Sequence, residues 1–180
     1  MKTKEDRIKE YQQLVKSIRV PSLIDLIPKL DEMGYFDQPA STRYHGAYEG
    51  GLFDHSLEVA KALMDLTDKL NLQWDIQSSP LVIGLFHDLC KCDNYVFDRE
   101  SSKYIFNPDM IIPGHGDKSV IMLQQLLLLT DEEIACIRWH MGAYETDTKM
   151  WNYYGQAIEK YPNVLYTHMA DMIASKIKGV

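Results

Sequence analysis

Residues 79–91 read SPLVIGLFHDLCK, and this stretch decides the fold. Ser79 and Pro80 form an N-cap and first-turn signal, because a proline at the first helical position gives up only an N–H that lacks an intrahelical partner anyway. The residues after them are apolar on nearly every side, as a helix at the centre of a bundle must be, and the run ends in His87-Asp88. That ending poses a chemical problem. Asp is almost never fully buried unless it is paired or coordinates a metal, so Asp88 needs a partner.

Outward from this helix the chain reads as helix after helix, with no alternating stretch long enough for a large sheet. Upstream, Leu52, His55, Val59, Ala62, Leu63, Leu66 and Leu70 predict an amphipathic helix over about 52–70, with His55 on or beside its stripe. The loop before it, PASTRYHGAYEGG (39–51), is rich in Gly, Ser and Tyr, and loops of this kind often line sites. Ile8, Tyr11, Leu14, Val15 and Ile18 predict a first helix over 4–18, and Pro21-Ser22 opens a second ending at Gly34, so that residues 1–37 form a helical scaffold.

Downstream, residues 93–113 mix aromatics with turn formers and fit either a short hairpin near 93–107 or an ordered lid. A helix is expected from His115 through VIMLQQLLLL. Thr130–Glu133 is a capping box opening a helix that carries Ile134, Ile137 and His140 and stops near Gly142. Pro162-Asn163 opens a last helix with Asp171 in its middle, where the neighbours Leu165, Met169 and Ile173 are expected to face the core; Gly179 closes it. The expectation is one all-α domain over 1–180.

Composition narrows the function. The chain has 180 residues, 46% hydrophobic and 25% charged, the make-up of a globular protein. A net charge of −7 disfavours an extended nucleic-acid duplex as partner, though a small phosphorylated substrate or a short strand end fits if a few side chains or a metal supply local positive charge. No run nears the roughly 20 apolar residues of a membrane span. The polar start, MKTKEDRIKEYQQ, has no signal-peptide core, and Cys90, Cys92 and Cys136 cannot pair completely, so a reduced, cytoplasmic setting is expected.

One histidine-aspartate pair decides nothing. Six His and sixteen Asp in 180 residues give about 0.5 such dipeptides by chance. An isolated histidine on a helix stripe is more often a core or surface group than a ligand. The signal lies in the combination: His55, His87-Asp88, His115, His140 and Asp171 fall in successive segments, so that each ligand can come from a different helix of one bundle. Two buried carboxylates would repel or share a proton, whereas divalent cations among imidazoles neutralise both; this donor set suits Mn, Fe, Ni, Co or Zn rather than Ca.

The ordered set GGLFDHSLEVAK, LFHDLCK, IIPGHGDKS, RWHMG and THMADMIAS, spanning about residues 43–176, resembles the HD-domain metal-dependent phosphohydrolase superfamily, and its two intervening histidines resemble the two-metal branch. The resemblance implies that His55, His87, Asp88 and Asp171 hold one metal and that Asp88 bridges to a second held by His115 and His140. It implies hydrolysis of a phosphate ester, on a nucleotide or a short nucleic-acid end, by a hydroxide formed from metal-bound water at neutral pH. Asp88 and Lys91 are then the catalytic candidates. Lys91, one turn after Asp88, can bind substrate phosphate or simply pair with Asp88. Cys90 stands where many relatives have Gly; the spacing of Cys90 and Cys92 is unlike the familiar metal knuckles, and a packing role is expected.

Arg43, His45, Lys118 and Arg138 are further substrate-side candidates, each with a solvated surface reading beside it. His168 is expected to support the site or the core. Tyr44, Tyr48, Tyr95, Tyr104, Trp139 and Tyr144 cluster around the motifs and can stack a base or pack. Two rival functions remain. A few proteins resembling this fold hold two irons with the same six ligands and oxidise a substrate with dioxygen, and a regulatory module would bind nucleotide or metal without turnover; Lys91 favours hydrolysis over the first, and the complete ligand set disfavours the second.

Overall fold

A computed structural model describes residues 2–142 and 148–180; Tyr144 lies outside the described residues. The chain folds into helices α1 (Lys4–Ile18), α2 (Ile27–Glu32), α3 (Gly51–Leu70), α4 (Ser79–Phe86), α5 (Lys91–Asn94), α6 (Gly116–Leu123), α7 (Asp131–Arg138), α8 (Met150–Lys160) and α9 (Asn163–Met172). A 3₁₀ turn (Pro21–Leu26) precedes α2, and a π-helical turn (Ile173–Lys178) continues α9. The single sheet among the described residues is a two-stranded antiparallel hairpin, β1 (Tyr95–Asp98) and β2 (Lys103–Phe106). The fold is thus all-α with one hairpin, and among the described residues no helix is long and apolar enough to cross a membrane.

The centre of the bundle is the crossing of α3 and α4. Every residue of α4 is buried, as its all-round apolar sequence requires. Close approach depends on Gly84, where an added Cβ would sit 2.3 Å from Ala60 Cα. The N-terminal segment caps this core through interlocking rings: Tyr11, Tyr35, Phe36, Phe53 and Phe86 meet at centroid separations of 5.2–6.5 Å. The Tyr11 hydroxyl donates to Leu23 O at 2.8 Å and Tyr35 donates to Leu85 O, so both buried phenols are satisfied.

Four expectations are corrected. Ser78 rather than Ser79 precedes α4 as the cap residue, and its side chain makes no capping bond. The helix after His115 ends at Leu123, well short of the LLLL run, whose Leu128 is 96% exposed. The Thr130 capping box forms as expected, but α7 ends at Arg138 and leaves His140 beyond the last turn. Leu165 and Met169 face outward; α9 turns Val164, Thr167 and Ala170 inward, and the π-helical turn adds Ala174.

Candidate metal centre

Three segments deliver histidines with one ring nitrogen already committed. His55 sits in the second turn of α3, where its Nδ1 donates to the Val180 backbone oxygen at 2.9 Å. His87 and His140 lie just past the ends of α4 and α7, where last-turn carbonyls lack helical partners. Each uses one: His87 Nδ1 donates to Gly84 O at 3.0 Å, and His140 Nδ1 to Ile137 O at 2.7 Å. With Nδ1 protonated, all three Nε2 lone pairs point to a common centre, the orientation that second partners impose on metal-binding histidines.

Asp88 stands at that centre. One of its oxygens, Oδ1, is 2.7 Å from His115 Nε2 and 3.4 Å from His140 Nε2, while Oδ2 is 3.7 Å from His87 Nε2 and 3.9 Å from His55 Nε2. Asp171 approaches from α9, with Oδ1 3.3 Å from His55 Nε2. His55 Nε2 and His87 Nε2 face each other at 3.2 Å. Asp88 Oδ1 and His140 Nε2 are buried without a hydrogen-bond partner, although His115 Nε2 approaches Oδ1 at 2.7 Å as a charge contact. Converging lone pairs and orphaned buried atoms are costly unless a cation satisfies them, so this donor set fits a divalent metal. Among the described residues three trios lie close enough to share an ion: His55-His87-Asp88, His87-His140-Asp171 and Asp88-Cys90-His115.

The charges follow the geometry. Burial would raise the Asp88 carboxyl, but His115, Lys91 and His87 outweigh it and hold it well below the usual range. Asp171 is likewise lowered, burial being outweighed by the His55 hydrogen bond and the surrounding imidazoles. Burial drives His87 down to about 3 and lowers His115, so both stay neutral and able to donate lone pairs. For His55 and His140 burial is outweighed by Asp171 and Asp88, respectively, and both are raised.

Above these groups a cavity of about 350 Å³ is lined by His45, Asp88, Lys91, His115, Asp171 and Lys176, among others. The Lys91 ammonium turns to Tyr95 Oη at 3.3 Å instead of pairing with Asp88; its burial is outweighed by the Asp88 charge, and it stays protonated. The His45 ring lies 4.9 Å from that of His55. Cys90, expected to pack, is buried and also places Sγ 3.7 Å from His115 Nδ1; burial raises its thiol to about 12.

Other candidates take different places. Lys118 is buried and its ammonium is bonded to Asn94 Oδ1 at 2.7 Å and paired with Asp93, which fastens the root of the hairpin away from the cavity. Arg138 pairs with Asp117 and lies 4.1 Å over the Trp139 ring, and Tyr48 donates to Asp54. His168 Nδ1 donates to His140 O at 2.7 Å, so it supports the backbone beside a candidate ligand. Arg43 lies outside the metal cavity, on a neighbouring groove.

Lys176 is a cavity residue that sequence reasoning misses. In a continuous α-helix a residue five places after Asp171 lies about 140° round the axis. The π-helical turn, bonded i→i+5, narrows that angle and brings Lys176 to the cavity wall; nothing in the sequence marks such a turn.

An HD-domain family model matches residues 52–174, and the chain belongs to that family. The chain is also 30% identical over 163 residues, 89% of its length, to dihydroneopterin 2',3'-cyclic phosphate phosphodiesterase of Methanocaldococcus jannaschii; it spans 58% of that relative's length. No solved structure matches.

Proposed function

We propose that the chain is a metal-dependent phosphohydrolase or phosphodiesterase acting on a nucleotide-like phosphate ester. The observation that carries this reading is one cavity whose floor holds Asp88, His115 and Asp171 and whose wall carries the Lys91 ammonium. His55, His87, Asp88 and Asp171 would hold one ion, and Asp88 with His115 and His140 a second, drawn from Mn, Fe, Ni, Co or Zn. Such ions polarise a phosphoryl oxygen and generate a nucleophile from water at neutral pH. Lys91 supplies a fixed positive charge for the phosphate, held over the floor by Tyr95. The relative that acts on a 2',3'-cyclic phosphate supports phosphodiester chemistry.

The test is release of product from a panel of phosphomonoesters, linear diesters and 2',3'-cyclic nucleotides with Mn, Ni, Co or Fe added, beside Asp88→Ala. Metal-dependent release that disappears in the variant is expected. No release with any metal at full occupancy sinks the reading, and oxygen consumption by the iron-loaded protein would replace it with oxygenation.

A further inference from the structure

The hairpin carries a feature that phosphate chemistry does not use. Its register pairs Tyr95 with Phe106 and Phe97 with Tyr104, and because side chains alternate along a strand, all four rings stand on one face. They pack pairwise at centroid distances of 5.3 Å, yet Phe97 is 54% and Phe106 64% exposed. A second groove of about 810 Å³ runs between this hairpin and the 41–44 loop. Tyr95, Tyr104 and Phe106 line one side of it, and Arg43 and Tyr44 the other, with Lys103 also on its wall. Neither Arg43 nor Lys103 has a side-chain ion pair or hydrogen bond among the described residues.

The groove and the metal cavity are neighbours with two residues between them. Tyr44, 81% exposed, lines both, and Tyr95 lines the groove while its hydroxyl meets Lys91 in the cavity. The aromatic face is thus the surface next to a phosphate held beside Lys91. We propose that this groove binds the planar heterocycle of the phosphate ester, stacked against Tyr104 and Phe106 and flanked by Tyr44 and Arg43, a role that rests on the phosphohydrolase reading for its link to catalysis. Rings offer a π-face to any base, and a guanidinium stacks on one too, whereas an alkyl chain would leave the Arg43 guanidinium without a counterpart. The hydroxyls of Ser41, Thr42 and Ser101 along the walls suit a sugar or polyol linker.

Binding is measured with adenosine monophosphate and ribose 5-phosphate in EDTA, where no metal-dependent turnover consumes the ligand. The wild-type chain should bind the adenylate at least about tenfold more tightly, the effect of one stacked base. The double variant Tyr104→Ala/Phe106→Ala should bring the two Kd values within about twofold. Tyr44→Ala, on the opposite wall, repeats the test should the hairpin variant unfold. Equal affinities in the wild-type chain, or a preference that survives in a folded variant of each wall, overturn the proposal. An oligoadenylate trimer binding more tightly than the monophosphate assigns the groove to a strand end and equal binding to a free nucleotide; both uphold the ring site. Loss of hydrolysis across the panel with the preference intact would remove the hydrolase reading alone.

Discussion

Asp88 and Lys91 are one helical turn apart and do different work. The carboxylate has imidazoles from four segments within 4 Å, whereas among the described residues the ammonium's hydrogen bond goes to the Tyr95 phenol. Lys91→Met keeps the length of the stem and removes the charge. It should lower kcat/KM by about 10²-fold, as loss of a preorganised electrostatic contact does, while metal content by elemental analysis stays at the wild-type value. Loss of metal in that variant would make Lys91 part of the ligand scaffold and refute its role at the phosphate. The same contrast explains what a sequence shows. A buried Asp after an apolar run is chemically conspicuous, so Asp88 is legible; Lys118 and Lys91 look alike on paper, and only the fold buries one under a hairpin root and turns the other into a cavity.

Among elements, α4 has the least freedom. Gly84 serves twice there: its missing Cβ admits α3, and its carbonyl fixes the His87 tautomer. Gly84→Ala should therefore destabilise by about 1–3 kcal/mol through overpacking, and should weaken metal binding because the helix must shift where His87 is anchored. Thermal unfolding and metal titration read the two effects separately; an unchanged melting temperature would mean that α3 and α4 are less tightly opposed than their 2.3 Å clash distance implies. Helices with strong stop signals are readable: the first helix matches residues 4–18, and the Thr130 capping box forms as written. The LLLL run misleads because its apolar content outweighs the absent caps, and the hairpin stays ambiguous on paper because four-residue strands carry too few alternations to outvote a lid. The π-turn that presents Lys176 has no sequence signature at all.

Across the whole molecule, a net charge of −7 coexists with Lys91 and Lys176 beside Asp88 and Asp171 on one cavity and with Arg43 and Lys103 on the next, so cationic side chains that an anionic ligand can use are gathered locally on an acidic protein. The buried histidines give this arrangement a pH dependence whose sign can be worked out. His55 and His140 are raised, so without metal their protonated pairs with Asp171 and Asp88 contribute stability below the ordinary histidine value, lost as pH rises through the raised values. His87 and His115 are lowered and act oppositely, costing stability as pH falls through the ordinary value. Metal binding requires all four rings neutral, and so competes with the protons on His55 and His140. At a free ion concentration about 100 times its Kd, the bound state gains about 2.7 kcal/mol, or roughly 5–10 °C in Tm for a chain of this size. Mn at pH 7.5 should raise Tm by that amount, and the rise should shrink steadily toward pH 5.5 and vanish at every pH in Asp88→Ala. A rise of equal size across this range, or one retained in the variant, would place the ion away from these histidines.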